Sequence, residues 1–293
     1  HGGRAELSHQ FVEDAAALRP RVLLAEGTYV DTSLPPVTEK EVREKALQSA
    51  REARGLVIAD FAPRDIERLL TFRHIAQETG RRLVVLTRDA YLLQAAALLE
   101  PRVPPLAGDS TLRIYEEAKS SSIKGWEKGV LRDFRDQMVS AEEIGRHQSE
   151  YMVCFSFMDL NELPSIRPQK DSVFIYSSSE PQGEEGEIDM RRLNQWLEHF
   201  NIKPVGVPRW VEHASPCPLG VKEECGHWQV PAPERGLHAS GHASGPELVE
   251  MVRRIHPQTF IPVHSEHPEL YIEHLKGTGI EVRLPSLGDE VTL

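Results

Sequence analysis

Residues 238–247 read His238-Ala239-Ser240-Gly241-His242-Ala243-Ser244-Gly245-Pro246-Glu247, and the apolar run Thr259-Phe260-Ile261-Pro262-Val263 follows shortly after and ends at His264. Small residues around Gly241 let the backbone bend and approach a ligand closely. Ser244 and Glu247 make a capping box, with Pro246 in the first turn, so a helix starts here. Leu248, Val252 and Ile255 fall on one face of it. The run 259–263 predicts a strand that delivers His264 at its carboxyl end, where open α/β sheets place their sites. Free N–H groups at the helix start favour an anion such as phosphate. His238, Ser240, Gly241 and Ser244 are therefore candidate phosphate contacts.

The same alternation of helix and strand runs through the first hundred residues. A helix is predicted over Leu7–Leu18, then a buried strand from Arg21 to Ala25 that ends at Glu26. Thr38-Glu39-Lys40-Glu41 is a second capping box. Val42, Ala46, Ala50 and Ala53 follow it on one face, and Gly55 closes the helix. Leu56–Ala59 and Leu83–Leu86 read as strands, with a helix between them from near Pro63 to before Gly80. Such alternation implies an α/β fold, a parallel sheet with helices on its faces. Residues 101–150 are charged and mixed and show no clear period. Tyr151–Phe155 and Val173–Tyr176 read as strands. Ile188–Phe200 reads as an amphipathic helix with Met190, Leu193, Trp196 and Leu197 on one face. Residues 208–236 hold Pro208, Pro216, Pro218, Pro231 and Pro233 among few periodic apolars, which predicts a long loop or insertion.

A chain of 293 residues suggests two domains, or one large domain with an insertion. With 40% hydrophobic and 27% charged residues, wholesale disorder is excluded. No apolar run approaches the roughly 18 residues of a membrane span. The start His1-Gly2-Gly3-Arg4-Ala5-Glu6 has no signal-peptide character, and three cysteines make no disulfide framework, so a cytoplasmic protein is expected. A net charge of -11 argues against a general nucleic-acid-coating protein, but not against an enzyme that grips RNA in a local groove and cuts it with metal ions. Eight of the thirteen histidines lie between His213 and His274, a concentration that points to a metal or proton-transfer site.

Ser240-Gly241-His242-Ala243, then a helix, then Ile261-Pro262-Val263-His264-Ser265-Glu266 resembles the β-CASP nucleases, most of all the RNase J group and its archaeal relatives. His242 matches the family's motif B histidine and His264 its motif C histidine. Leu24-Ala25-Glu26-Gly27-Thr28-Tyr29 resembles motif A, with Glu26 as its acidic residue. Tyr176-Ser177-Ser178-Ser179-Glu180-Pro181 resembles the serine-rich strand end that contacts RNA phosphate in this group. The resemblance spans nearly the whole chain in order. It implies a partial metallo-β-lactamase fold, an αββα sandwich, with an inserted parallel-sheet α/β β-CASP domain. The metallo-β-lactamase pieces are then expected at 1–33 and 237–293, and the β-CASP domain at 34–236.

The implied activity is zinc-dependent hydrolysis of single-stranded RNA, with two Zn2+ per complete active site. His264 would be a metal ligand. Glu26 and His242 would be catalytic, Glu26 fixing the orientation and tautomer of the imidazole. Ser177, Ser178 and Ser179, with His238, Ser240, Gly241 and Ser244, would touch RNA phosphates, and Glu266 would be a supporting neighbour. The family's His-x-His-x-Asp-His motif is absent, and His1-Gly2-Gly3 resembles the residues just after the metal-bridging aspartate. The chain is thus expected to start in mid-domain, with most zinc ligands in a missing N-terminal half that would be its partner; a homodimer is also open. Two other functions stay open: a DNA nuclease of the same superfamily, and a non-catalytic RNA-binding or assembly subunit. DNA-repair members usually lack the motif C histidine, so His264 favours RNA. Cys217, Cys225 and His227, with His213 or Glu224, make either a zinc knuckle or an unliganded loop; the cysteine spacing is not a standard one.

Overall fold

The computed structural model describes residues 5–31, 36–62, 65–103, 105–117, 123–179, 183–212 and 226–291. Helix α1 (Ala5–Ala17) leads to β1 (Val22–Glu26), α2 (Glu39–Glu52), β2 (Val57–Asp60), α3 (Ile66–Glu78), β3 (Arg82–Val85) and α4 (Thr87–Ala96). Next come β4 (Leu112–Tyr115), α5 (Gly125–Asp133), β5 (Met138–Val139), α6 (Ala141–Arg146), β6 (Tyr151–Val153) and α7 (Leu163–Ile166). β7 (Val173–Tyr176), α8 (Gly183–His199), β8 (Lys203–Val205), β9 (Arg209–Glu212) and β10 (Gly226–Gln229) follow. The last elements are α9 (Gly245–Ile255), β11 (Thr259–Val263), α10 (Leu270–His274) and β12 (Glu281–Val282). The chain divides into two compact units. One joins His1–Thr38 to Ala239–Leu293, and the other is Glu39–His238.

The first unit is built on a three-stranded parallel sheet in the order β1-β11-β12. Leu248, Val249 and Val252 of α9 pack with Phe260 of β11, Tyr271 of α10, Leu275, Ile280 and Val30. α9 starts at Ser244 as its capping box requires, and Glu247 accepts from Ser244 N at 3.0 Å. One expectation fails here. β1 is not a buried strand: Leu24 is 61% exposed. Among the described residues β1 pairs only with β11, and a short apolar run reads alike whether one or both of its faces are covered.

The second unit carries seven parallel strands in the order β5-β4-β3-β6-β2-β7-β8. Buried on both faces, these strands read as continuous apolar runs. Val57 and Ala59 join the cluster made with α2, α3, α4 and α5, through Ala46, Ala50, Leu69, Phe72, Leu93 and Val130. Leu56 and Ile58 join the opposite cluster with α6, α7 and α8, through Ile144, Leu163, Ile166, Met190, Leu193 and Leu197. The chain leaves β2 for α3 on the first face, but leaves β6 and β7, the two strands flanking β2, for helices on the second. The carboxyl end of β2 therefore stands at a topological switch point, where sheets of this kind open a crevice.

Gly55 follows α2 for a reason other than helix termination. A Cβ there would lie 2.6 Å from Ser172 Oγ and 2.9 Å from Ser172 N, so only glycine fits beside that backbone. Among the described residues of 208–236, where a long loop or insertion was expected, two short strands are present. β9 and β10 form an antiparallel pair in which Trp210 faces Trp228, ring centroids 5.6 Å apart. Strands of four residues among prolines are too short to show a period. Cys217, Cys225, His213 and Glu224 lie outside the described residues, as do His1-Gly2-Gly3, Pro63, Glu180 and Pro181. No described helix is long and apolar enough to cross a membrane.

Candidate functional site

In the first unit, parallel pairing of β1 with β11 sets Glu26 opposite Val263, so Glu26 and His264 leave adjacent strand ends. Gly27 N donates to Val263 O at 3.0 Å and Thr28 Oγ to His264 O at 3.3 Å, tying the two turns together. Gly27 is closely packed: a Cβ would meet Ser265 Cβ and Tyr271 Cε2 at 3.0 Å, so a neighbour would have to give way. His264 is exposed and sits at φ 55, in the left-handed region. A histidine there is uncommon, and such backbone concentrates at functional sites.

His242 Nδ1 stands 3.3 Å from Glu26 Oε2, and Tyr29 meets the imidazole edge-on at 5.6 Å. Burial opposes ionisation of Glu26. Hydrogen bonds from Thr28, one from its backbone N–H at 2.9 Å, and the neighbouring His242 outweigh it and hold the carboxyl below its ordinary value. An ionised Glu26 fixes the proton on Nδ1 and leaves Nε2 for other chemistry. His242 N donates to Ser240 Oγ at 3.1 Å, so the Ser240 hydroxyl keeps its own hydrogen to give. Gly241 is exposed. Ser244 differs from expectation. It is buried, and its N–H and hydroxyl are spent on Glu247 at 3.0 and 2.7 Å. A carboxylate thus already occupies the donors of Ser244 that an RNA phosphate was expected to use.

In the second unit, Ser177, Ser178 and Ser179 follow β7 beside the end of β2. Ser177 is corrected in the same way as Ser244. It is 2% exposed, its hydroxyl donates to Leu237 O, and Arg68 donates to it. It props the turn from within. Ser178 is half-buried and Ser179 exposed, so these two keep access to solvent. His238 Nδ1 lies 3.2 Å from Ser177 O, and burial lowers its pKa, leaving a neutral ring at pH 7. Arg68 went unrecognised in the sequence. It is 1% exposed, bonds Glu39 at 2.7 and 3.1 Å and Ser177 O at 2.7 Å, and so fixes the serine turn from α3. Asp65, the N-cap of α3, was its only sequence signal, since a cap at that position locates Arg68 in the first turn. Thr28, Tyr29 and Asp60 were likewise without assigned roles.

Residues 234–285 match a family model described as the Zn-dependent metallo-hydrolase RNA specificity domain. The match covers the helix α9, the strand β11 and both histidines His242 and His264, and it supports a member of the metallo-β-lactamase superfamily. It brings with it a family of zinc-using hydrolases with RNA specificity. The described residues test that zinc expectation. Among them, no group of three or more His, Cys, Asp or Glu is placed to hold a metal ion. A catalytic zinc needs about three protein ligands, so His264 alone does not make a site. Dialysed against buffered zinc, the isolated chain is expected to retain clearly less than stoichiometric metal by elemental analysis. Two tightly held ions would show that the chain carries a ligand set beyond the described residues.

Proposed function

We propose that this chain supplies the acid–base group and RNA contacts of a zinc-dependent ribonuclease of the β-CASP, RNase J-like kind, with its metallo-β-lactamase pieces at 1–33 and 237–293 and its β-CASP domain at 34–236. The Glu26–His242 pair carries the reading. A carboxylate holds one imidazole nitrogen, the other is left for a substrate, and His242 lies in the segment that matches the RNA specificity domain. In its protonated form His242 gives a proton to the leaving oxygen of an RNA phosphodiester, and Glu26 holds the ring in register as it does so. His264 would add one imidazole to a metal site completed by ligands outside the described residues. Ser178, Ser179, Ser240 and Gly241 offer hydroxyls or backbone N–H groups to phosphate oxygens. A second reading, a non-catalytic RNA-binding subunit, is favoured by the absence of a three-ligand cluster among the described residues.

An RNA titration across a salt series tests the shared element of both readings. Contacts made by hydroxyls and N–H groups release few counterions. The slope of log affinity against log salt for single-stranded RNA is expected to be no steeper than about -3, equal to about four cation–phosphate pairs. Ser178→Leu with Ser240→Leu should weaken binding without changing metal content. A much steeper slope, or full affinity in the double variant, would place RNA on a basic surface instead. Cleavage of RNA by a zinc-complete preparation separates the enzyme from the subunit, and a matched DNA oligonucleotide separates a ribonuclease from a DNA nuclease.

A further inference from the structure

Asp60 ends β2 at the switch point of the seven-stranded sheet and is 4% exposed. No cation pairs with its carboxylate among the described residues. Its side-chain partner is Ser178, whose hydroxyl donates to Asp60 Oδ1 at 3.0 Å. The Asp60 carbonyl also receives Ser177 N at 2.8 Å, so the serine turn is built directly on this residue. A hydroxyl has one hydrogen. While Ser178 gives it to Asp60, only lone pairs face outward, and these repel a phosphate oxygen.

We propose that Asp60 is a positioning residue that couples RNA binding at Ser178 to the uptake of one proton. The inference rests on the reading of the Ser178–Ser179 turn as a phosphate contact. A proton from solvent neutralises the Asp60 carboxylate. The acid then donates to Ser178 Oγ, and the serine hydrogen is freed to turn toward the phosphate; no bond between heavy atoms changes. The same proton removes a buried negative charge from beneath the phosphate, so both effects act in one direction.

The surroundings suit the role. Burial pushes the Asp60 carboxyl up to about 7; the Ser178 hydrogen bond opposes this and the charge of Asp159 adds to it. Asp159 is itself paired with Arg88 at 2.8 Å. Arg68, on α3, is committed to Glu39 and Ser177. Asp89, on α4, is buried and raised to about 6, mainly by burial. Cys154, just beyond β6, is buried with its thiol pushed up, and His238 on the Ser177 carbonyl is lowered. Neutralisation by a proton is therefore the route open to Asp60 near neutrality.

The test is the affinity of the full chain for a labelled oligoadenylate, with a chelator present to prevent cleavage, from about pH 6 to about pH 8.5 at fixed ionic strength. If binding needs the protonated acid, Kd rises on the order of 20-fold from about pH 6.5 to about pH 8.5. Asp60→Asn places an amide donor against Ser178 and should keep the tight, low-pH affinity across this range. It should also fold at least as stably at high pH, since a raised carboxyl costs stability as pH climbs from its unfolded toward its folded value. Ser178→Ala should bind weakly at both ends and lose the step. Superimposable profiles for the wild type and Asp60→Asn would overturn the inference, as would a folded Asp60→Asn that binds weakly at every pH. No binding by any form at any pH would remove the RNA reading together with it, whereas tight binding with no pH step removes the proton coupling alone.

Discussion

His242→Ala is expected to slow RNA cleavage by about 100- to 10,000-fold, the usual contribution of a general acid–base group, in a zinc-complete preparation that cleaves at a measurable rate. The imidazole is held by Glu26 at 3.3 Å and braced edge-on by Tyr29, so its loss removes a placed proton donor and little packing. Zinc content should be nearly unchanged. His264→Ala is the informative contrast, because it should lower metal content and rate together. Glu26→Gln should fall between wild type and His242→Ala, since an amide oxygen can still receive Nδ1–H but carries no charge to hold it. Single-turnover cleavage rates and elemental analysis on the same samples decide the matter. A normal rate for His242→Ala would mean that the acid lies elsewhere.

Arg68→Ala should be the most damaging single change to the second unit, at about 3 to 5 kcal/mol. The guanidinium is 1% exposed and joins Glu39, the Ser177 carbonyl and the Ser177 hydroxyl. Its removal leaves the part-buried Glu39 carboxylate without this donor, and leaves the Ser177 carbonyl with His238 Nδ1 in place of a charged partner. Glu39 keeps some contact with water, which places the expected loss toward the lower end. All four tryptophans, Trp126, Trp196, Trp210 and Trp228, lie in this unit, so urea unfolding followed by their fluorescence reports on it directly. A loss under about 1 kcal/mol would show that the buried network is not what holds the turn. Arg68→Lys should recover only part of the stability, because a single ammonium cannot reproduce the two-pronged bond to Glu39.

Most elements with a strong local signal were legible in the residues. The capping box at Ser244 and Glu247 located α9, and the apolar run 259–263 located β11 to the residue. Val42, Ala46 and Ala50 are the buried face of α2, as their spacing implies. Residues 101–150 were opaque because α5 and α6 are short and charged and β5 has only two residues, and tertiary contacts rather than periodicity stabilise them. The hairpin of β9 and β10 was hidden among prolines for the same reason.

The candidate site divides along the same line. Local chemistry pointed to Glu26, His242 and His264, because acids and histidines at strand ends and beside helix starts are few and conspicuous. What each serine does was not local. Ser177, Ser178 and Ser179 are identical in composition, yet Ser177 is sealed against Leu237 and Arg68 while Ser178 rests on Asp60. Strand pleat turns successive side chains to opposite sides, but their partners come from more than a hundred residues away for Asp60 and about sixty for Leu237. The sequence by itself determined the α/β alternation, the caps and the residue types able to move protons or hold phosphate. Only the tertiary structure decided which of those groups are free to act, because burial and long-range hydrogen bonding settle whether a hydroxyl still has a hydrogen to give and whether a carboxyl keeps its charge.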